Sequence, residues 1–325
     1  MNPARTPLPV CRVGELEEPD EKPRWLVESL WSRAAVGFLA GAPKLGKTWL
    51  ALDLALSVAT ATPCLDTFAV PEPGAVLAFL AEDHPGTVRQ RIAGLCQHRA
   101  LHLEHVAVHL ITAASLRLDR EDDRARLCDV VQCLEPRLLL LDPLVRLHRR
   151  DENNAAEVAE LLAFLRELQR AHDLAVIIVH HMRKSAATHG GQALRGSGDL
   201  HAWTDSALYL HARHQRIVLS AEHRAAPAPA PLELELRSRD DGSQTHLERL
   251  PTTAPTTPPS DAPTLAERVL ARLRHAPQPL TRAELREQLR VNNQRLGETL
   301  AELREHGLLC HSRRGWSRNA EAPQP

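Results

Sequence analysis

The segment from Gly41 to Thr48 constrains the fold of this chain more than any other stretch. It reads Gly-Ala-Pro-Lys-Leu-Gly-Lys-Thr and fits the pattern G-x-x-x-x-G-K-[ST] at every fixed position. The apolar residues 34–40 before it predict a buried strand, and the amphipathic residues 49–59 after it predict a helix. A glycine loop between a strand and a helix is the context in which this pattern binds phosphate groups. The sequence therefore predicts a phosphate-binding loop.

Each part of this loop has an expected task in binding ATP. Gly41 and Gly46 are expected to adopt backbone angles that a side chain would forbid, so that N–H groups turn inward toward an anion. The helix that starts near Lys47 adds its positive N-terminal end. Lys47 is expected to reach the β- and γ-phosphates, and Thr48 to ligate Mg²⁺ through its hydroxyl. The predicted nucleotide-binding residues are Gly41, Ala42, Pro43, Lys44, Leu45, Gly46, Lys47, Thr48 and Trp49.

Strand patterns alternate with helix patterns over the first half of the chain, which is typical of a parallel sheet covered on both faces. After the first strand, four more are expected at residues 75–81, 106–111, 137–142 and 174–179. Helices are expected at residues 87–100, 120–133 and 154–172. Three later strands predict an antiparallel extension of the sheet, at residues 207–211, 217–221 and 232–237. The predicted fold class is therefore α/β, with a mostly parallel sheet.

Acidic residues follow two of these strands, at the edge where parallel sheets bind their ligands. Asp142 comes directly after the run Leu138–Leu141, a Walker B pattern whose carboxylate holds Mg²⁺; the alternative is a strand-end aspartate in a turn. Glu82 follows the second strand and can orient or deprotonate the water that attacks the γ-phosphate. The alternative is a solvated or helix-capping acid, a role that suits Asp83. The predicted metal ligands are therefore Thr48 and Asp142, and the predicted base is Glu82.

Histidines and an arginine complete the predicted catalytic set. His180 and His181 end the fifth strand, which is expected beside the second and fourth, and His181 or its neighbour can hydrogen-bond the γ-phosphate. The alternative is a structural histidine, because the chain has 18 histidines. Arg195 lies in the polar, glycine-containing residues 185–198, which predict a mobile loop. It can reach a phosphate or a neighbouring subunit, and the alternative is a solvated loop arginine.

Composition and charge narrow the class of protein. The net charge is −1 over 325 residues, so any nucleic-acid surface has to be local. No apolar run is long enough for a transmembrane helix, and the N-terminus lacks the apolar core of a signal peptide. The six cysteines form no C-x-x-C pair, which favours reduced thiols. We therefore expect a cytoplasmic protein with no membrane partner.

Proline-rich stretches divide the chain into predicted domains. Residues 1–21 carry prolines and an acidic cluster and predict an extended or disordered segment. Residues 22–250 form the α/β domain, in which residues 25–31 predict a short helix or turn at the edge of the core. The Pro/Thr-rich residues 251–263 predict a linker, and residues 264–325 a second domain.

The second domain is expected to contain three helices and a hairpin, which resembles a winged helix. Thr281 and Glu284 predict a capping box at the start of its second helix. Residues 264–325 hold eleven arginines and seven glutamates, a net charge of +4. The arginines expected to meet DNA phosphates are Arg290, Arg295, Arg313 and Arg314. The alternative, a protein-binding winged helix, is favoured by Glu298, Glu302 and Glu305 on the third helix.

The ordered set of motifs resembles the RecA-like P-loop ATPases, and more narrowly the AAA_25 branch typified by plasmid RepA hexameric helicases. The matching segments within residues 22–240 are Gly41–Thr48, Ala81–Asp83, Leu139–Leu144, Asn153–Asn154, Val179–Lys184 and Ala193–Ser197. The resemblance implies a ring, usually of six subunits, with ATP between neighbours. By the same resemblance, Lys47 and Thr48 bind nucleotide and Mg²⁺. Glu82 is then the base, Asp142 the Walker B carboxylate and His181 the γ-phosphate sensor.

The resemblance also implies a route to DNA and exposes one departure. The segment Met182–Gly198 matches the loop that faces the ring channel and can touch single-stranded DNA. RepA-like relatives place the arginine that acts in trans soon after Arg-Gly-Ser, but residues 201–206 contain no arginine here. The next candidates are Arg213 and Arg216, and an alternative placement gives the role to Arg195.

Two functions remain open at this point. The first is a Mg²⁺-dependent ATPase that forms a homo-oligomeric, hexameric ring and acts on DNA as a RepA-like replicative helicase or a replication or mobile-element accessory factor. The second is an ATP-gated DNA-binding regulatory module without unwinding activity. In the second, residues 264–325 hold duplex DNA or a protein partner, and the nucleotide state sets oligomerisation.

Overall fold

The computed structural model divides into two compact units, Met1–Thr252 and Thr253–Pro325. The residues that it describes are 10–15, 24–149, 155–181, 198–213, 216–239, 244–251, 265–274, 276, 278–289, 291, 293–305, 308–312 and 315–319. The predicted features outside these ranges are most of residues 1–21, Asn153–Asn154, the segment 182–197 with Arg195, the linker from residue 252 onward, and Arg290, Arg313 and Arg314.

Nine described strands form one sheet in the first unit, and two more form a small hairpin before it. In chain order the strands are β1 (Trp25–Val27), β2 (Trp31–Ser32), β3 (Val36–Gly41), β4 (Val76–Leu80), β5 (Val108–Leu110), β6 (Leu138–Asp142), β7 (Ala175–His181), β8 (Ser206–Arg213), β9 (Arg216–His223), β10 (Leu232–Arg237) and β11 (His246–Arg249). Across the large sheet the order is β11-β10-β9-β8-β3-β7-β6-β4-β5. In this order the six neighbouring strands β8, β3, β7, β6, β4 and β5 are parallel, and the strands β8, β9, β10 and β11 pair antiparallel. The predicted fold class is confirmed.

Helices cover both faces of this sheet: α1 (Lys47–Thr60), α2 (Pro85–His98), α3 (Glu121–Leu134), α4 (Ala155–His172) and α5 (Gly198–Trp203). Helices α1 and α2 pack on one face around Leu39 and Ile177, and α3, α4 and α5 pack on the other around Phe38 and Ile178. Neighbouring residues serve opposite faces because side chains alternate along a strand. Coverage on both faces explains why β3, β4 and β6 are buried at every position. None of the described helices is long and apolar enough to span a bilayer.

The antiparallel extension begins one strand later than the sequence predicts. Strand β8 pairs parallel with β3, with Leu208 opposite Leu39. Helix α5 was not predicted; the chain leaves it at the edge where β3 begins, since Asp205 N donates to Val36 O at 2.8 Å. From that edge β8 can only run alongside β3 in the same direction. Strand β11 was also not predicted, because four residues are too few to establish a period.

Residues 25–31 form part of the hairpin β1–β2, so the predicted turn is present at residues 28–30 and the alternative, a helix, is wrong at this place. The two strands pair antiparallel, with Trp25 opposite Ser32. Trp31 is fully buried, and its indole N–H donates to Ala35 O at 3.2 Å. Burial of this large side chain with its polar atom satisfied favours the hairpin over the helix.

The second unit contains three described helices and a two-stranded sheet: α6 (Leu265–Arg274), α7 (Arg282–Leu289), α8 (Asn293–Glu305), β12 (Leu309–Ser312) and β13 (Gly315–Arg318). Its separate core includes Val269, Leu285 and Leu296. The predicted capping box is present, because Glu284 N donates to Thr281 Oγ1 at 3.3 Å and Thr281 N donates to Glu284 Oε2 at 2.7 Å.

A buried ion pair ties α1 to the end of α2. Arg99 donates to Asp53 Oδ2 at 2.6 Å, and the two side chains are 5% and 4% exposed. Asp53 Oδ1 also accepts from Leu65 N at 2.9 Å, and Arg99 donates to the hydroxyls of Ser57 and Thr62. These hydrogen bonds compensate for removing two charges from water. The pair therefore anchors the helix that follows the glycine loop.

We predict that Arg99→Ala lowers the free energy of unfolding by about 3 kcal/mol, because it leaves Asp53 as an uncompensated buried charge. Chemical denaturation followed by tryptophan emission measures this, since Trp25, Trp31, Trp49 and Trp203 lie in the first unit. The matched control is Arg237→Ala, whose half-exposed pair with Glu248 is worth at most about 1 kcal/mol. Equal losses for the two variants would contradict the assignment.

Candidate active site

The carboxyl ends of four parallel strands meet at one edge of the sheet and border a cleft of about 290 Å³. Gly41 at the end of β3 is in register with His181 of β7, and Leu80 of β4 with Asp142 of β6. The residues that line the cleft are Lys44, Gly46, Lys47, Thr48, Trp49, Leu80, Glu82, Asp83, Arg91, Asp142, His181 and Leu236. The parallel register thus brings side chains from distant parts of the sequence around one cavity.

The two loop glycines are needed for different reasons. Gly46 has φ of +80°, in the left-handed region, as the sequence predicts. Gly41 has no positive φ, so the expectation for it is wrong; a Cβ there would lie 2.7 Å from Leu210 O of β8. Lys44 also has a positive φ, +66°. Of the other predicted nucleotide-binding residues, Ala42, Pro43 and Leu45 belong to the loop but do not line the cleft.

Lys47 is the first residue of α1, and its side chain turns back over the glycine loop. The residue is 4% exposed, and its Nζ donates to Gly41 O at 3.0 Å and to Ala42 O at 2.9 Å. Burial lowers the pKa of Lys47, while the charges of Asp142 and Glu82 oppose that shift. An ammonium has three N–H donors, so a third is left for a phosphate oxygen.

Thr48 and Asp142 place two oxygens side by side at the bottom of the cleft. Thr48 Oγ1 donates to Asp142 Oδ2 at 2.8 Å. Burial raises the pKa of Asp142 to about 6, helped by Asp83 and Glu82 and opposed by the Thr48 hydrogen bond and Lys47. Hydroxyl and carboxylate oxygens are ligands that Mg²⁺ prefers, and a dication would compensate the buried carboxylate. The residues present therefore fit Mg²⁺.

Glu82 lies two residues beyond β4 and lines the cleft beside His181. Its Oε1 accepts from Arg146 Nε at 3.1 Å, and its Oε2 is 3.9 Å from His181 Nε2. Glutamate, histidine and the metal-binding oxygens therefore share one cavity. Arg146 was not predicted as part of this group. Its position four residues after Asp142, in the turn that leaves the same strand, is the signal that could have found it.

The two adjacent histidines point to opposite sides of β7. His181 lines the cleft, and its pKa is lowered by burial and by Lys47, with Glu82 opposing. His180 lies 5.9 Å from the Phe38 ring on the other face. Burial, then His181 and Lys47, lower the pKa of His180 to about 4, so its imidazole is neutral at pH 7. The expected neighbours of this strand are partly wrong, since β7 lies between β3 and β6 and not beside β4.

Trp49, Arg91 and Asp83 form a second wall of the cleft. The Arg91 guanidinium lies over the Trp49 ring, 5.3 Å from its centroid, and donates to Asp83 Oδ2 at 2.5 Å. Asp83 therefore pairs with an arginine, and the expectation that it caps a helix is wrong. His84 caps α2 instead, because its Nδ1 accepts from Gly86 N at 3.1 Å. Sequence reasoning missed Arg91, since the contact joins two separate helices.

The predicted trans-acting arginines are not brought to the cleft in the part of the chain that the structure describes. Arg195 lies outside the described residues. Arg213 ends β8, and Arg216 begins β9 and pairs with Glu233. Neither of these two lines the cleft.

A larger cavity, of about 500 Å³, lies at the opposite edge of the sheet. Its carboxylates already bind neighbouring side chains: Asp205 accepts from Arg166, and Glu222 accepts from Tyr209 Oη at 3.2 Å and contacts His201 at 3.2 Å. Among the described residues, no glycine lines this cavity. The chemistry of phosphate binding therefore favours the smaller cleft.

We predict that Asp142→Asn stabilises the protein at pH 8 when metal and nucleotide are absent. The pKa of about 6 exceeds the ordinary value of 3.8, so the stability that protonation supplies is present below about pH 4 and lost as pH rises through about 6. A shift of about two pKa units corresponds to about 3 kcal/mol. Thermal melting should show the gain at pH 8 and none at pH 4. Exposed Asp129→Asn is the control, and an unchanged melting temperature at pH 8 would contradict the prediction.

Comparison with known proteins agrees with this geometry. The model of the AAA_25 family, an AAA domain, matches residues 3–187. One solved ATPase domain aligns with a TM-score of 0.51 at 14% identity, covering 67% of this chain and 86% of that one. The RadB recombinase aligns with a TM-score of 0.50 at 18% identity, covering 67% of this chain and 91% of that one. At such identities the likeness shows the RecA-like fold alone.

The family match spans more than half of the 325 residues and includes the glycine loop, Glu82, Asp142 and His181. Membership of this family implies nucleotide binding, typically together with Mg²⁺. The chain therefore belongs to the AAA_25 family and is a RecA-like P-loop ATPase domain followed by a smaller unit of helices and a two-stranded sheet.

Proposed function

We propose that this protein hydrolyses ATP in the cleft at the carboxyl edge of its sheet and uses the turnover to act on DNA. The observation that carries the proposal is the contact between Thr48 Oγ1 and Asp142 Oδ2 at 2.8 Å, beside the buried Lys47. These three groups combine a phosphate-binding cation with a pair of Mg²⁺-binding oxygens. Glu82 supplies a carboxylate on the same cavity wall.

The proposed reaction is attack by water on the γ-phosphorus of ATP, which gives ADP and inorganic phosphate. Glu82 orients the water and accepts its proton. Lys47 balances negative charge on the β- and γ-phosphates, together with backbone N–H groups of the glycine loop. Thr48 and Asp142 would hold Mg²⁺, which would supply further neutralisation of phosphate charge. His181, whose Nε2 lies 3.9 Å from Glu82 Oε2, is the proposed hydrogen-bond partner of the γ-phosphate and the proposed sensor of its loss.

Completion of the site by a neighbouring subunit is also part of the proposal. The cations that line the cleft among the described residues are Lys44, Lys47 and Arg91, and Arg91 is already paired with Asp83. Phosphoryl transfer in related site types uses an arginine supplied in trans. We therefore assign ATP to the boundary between subunits of a homo-oligomeric ring, usually of six. Arg195 is the proposed trans-acting residue, with Arg213 and Arg216 as the other candidates.

Single-stranded DNA is the proposed substrate of the motor, in the manner of a RepA-like helicase or a replication or mobile-element accessory factor. The segment 182–198 starts directly after His181 of the cleft and carries Arg183, Lys184 and Arg195. Phosphate backbones bind such basic segments without reading sequence. A segment that begins at the γ-phosphate sensor can respond to hydrolysis.

The packing of the flanking elements supports this coupling. His180, at the end of β7, lies 5.9 Å from the Phe38 ring, and Phe38 lies 5.4 Å from the Trp203 ring at the end of α5. Trp203 Nε1 donates to Leu162 O at 2.8 Å. Strand β7, which precedes the segment 182–197, and helix α5, which follows it, therefore both contact Phe38. Phe38 belongs to β3, the strand that leads into the glycine loop.

The second unit favours an alternative function, an ATP-gated DNA-binding regulatory module without unwinding activity. It contains three helices and a β-hairpin, and residues 264–325 carry a net charge of +4. A winged helix of this kind can place a helix in the major groove of duplex DNA. In this alternative, nucleotide state sets oligomerisation, and turnover is slow and independent of DNA.

We predict that Lys47→Ala lowers kcat/KM for ATP at least roughly a hundredfold, because a buried cation that meets the transferred phosphate is lost. Glu82→Gln should keep nucleotide affinity but lose roughly 10²- to 10⁴-fold in kcat, because the base is lost and the shape is kept. Phosphate release measures turnover, and a labelled ADP analogue measures binding. Arg170→Ala, a surface change on α4, is the control. Turnover at the wild-type rate in purified Lys47→Ala would refute the central assignment.

We predict that single-stranded DNA stimulates the wild-type ATPase at least roughly tenfold and that the stimulation falls steeply with added salt. The native mass measured with an ATP analogue should correspond to a ring of subunits, and the protein should unwind a forked DNA duplex. The alternative function predicts slow turnover without DNA dependence and binding to duplex DNA instead. Absence of stimulation together with duplex binding would therefore exclude the motor.

A further inference from the structure

A cation outside the cleft holds one oxygen of Glu82. Arg146 Nε donates to Glu82 Oε1 at 3.1 Å, while Glu82 Oε2 lies 3.9 Å from His181 Nε2. Glu82 and His181 line the cleft, and Arg146 does not. The two carboxylate oxygens therefore have different surroundings: Oε1 accepts from the guanidinium of a residue that does not line the cleft, and Oε2 lies 3.9 Å from His181 Nε2.

The backbone of Arg146 is fixed by the turn that follows β6. Arg146 N donates to Pro143 O at 3.0 Å, and Arg146 O accepts from Arg117 Nη1 at 2.7 Å. The same turn starts at Asp142, the proposed metal ligand. Arg146 therefore links the end of the strand that carries Asp142 to the carboxylate of Glu82, and its own backbone is held by two hydrogen bonds.

We infer that Arg146 is a positioning residue for Glu82 in ATP hydrolysis. This inference rests on the proposed function. The charge-assisted hydrogen bond from Nε fixes Oε1, so that Oε2 is the oxygen left to take the proton of the attacking water. A glutamate without this contact rotates freely and spends less time in the geometry that the water requires. Arg146 makes no contact with substrate and acts only through Glu82.

The contact contributes little to folding, which makes the inference testable. The side chains of Arg146 and Glu82 are 57% and 47% exposed. Ion pairs with this exposure add little stability because solvent screens them and side-chain entropy opposes them. The variant without the arginine should therefore fold normally, and its circular dichroism spectrum and melting temperature should match the wild type.

The test is the effect of Arg146 variants on steady-state ATP hydrolysis by the full chain at saturating Mg²⁺. Arg146→Ala should lower kcat roughly tenfold and leave KM and the affinity for a labelled ADP analogue within about twofold. Arg146→Lys should recover part of the loss, because it keeps the cation but not the Nε geometry. Arg149→Ala removes an exposed arginine three residues further along the chain and should keep the wild-type kcat.

Coupling to Glu82 separates positioning from a general effect of charge. In a Glu82→Gln background, Arg146→Ala should cause no additional loss of kcat. An unchanged or increased kcat in Arg146→Ala, or an additional loss in the double variant, would overturn the inference. If Glu82→Gln itself keeps the wild-type kcat, the proposed role of Glu82 fails as well. If Glu82→Gln loses kcat as predicted and Arg146→Ala keeps the wild-type kcat, the proposed function stands and only the positioning role is wrong.

Discussion

The parallel pairing of β3 with β7 and of β4 with β6 is the constraint on which the candidate site depends. Inside the sheet these strands are covered on both faces, so an unpaired charge has no place there. Polar side chains therefore lie at the strand ends. Because the strands are parallel, their carboxyl ends lie on one edge of the sheet. The register then sets the distances, since Gly41 lies opposite His181 and Leu80 opposite Asp142. The lengths of the apolar runs therefore determine where Glu82, Asp142 and His181 meet.

The cleft stores two charges that the fold alone does not fully compensate. Burial lowers the pKa of Lys47 and raises that of Asp142, which means that each charged form is disfavoured where it lies. The two residues oppose each other's shifts but do not cancel them. The proposed ligand, a triphosphate with Mg²⁺, would provide the missing partners, an anion for Lys47 and a cation for Asp142. The incompletely compensated charges therefore lower the stability of the protein without ligand, and a ligand that pairs with them gains binding free energy.

Much of the fold and most of the cleft could be predicted because their signals are local. A glycine motif between apolar and amphipathic runs identifies Lys47 and Thr48, and an apolar run ending in an acid identifies Asp142. The contact of Arg146 with Glu82 depends on a turn and on side-chain direction, which no periodicity encodes. The direction of β8 depends on the edge of the sheet at which the chain leaves α5. Short elements such as β1, β2 and β11 bury too few residues to leave a pattern.

Alternation along β7 gives the proposed coupling a mechanical basis. Neighbouring side chains of a strand face opposite sides, so His181 meets the cleft while His180 meets Phe38. In the proposed mechanism, a displacement of the end of β7 after loss of the γ-phosphate would move both histidines together. Phe38 also contacts Trp203 of α5, so the displacement reaches the element that follows the basic segment as well as the one that precedes it. Close-packed protein interiors do not absorb such a shift locally, because they transmit strain to their neighbours. In the proposed mechanism, Phe38 therefore links β7, which precedes residues 182–197 in the chain, to α5, which follows them.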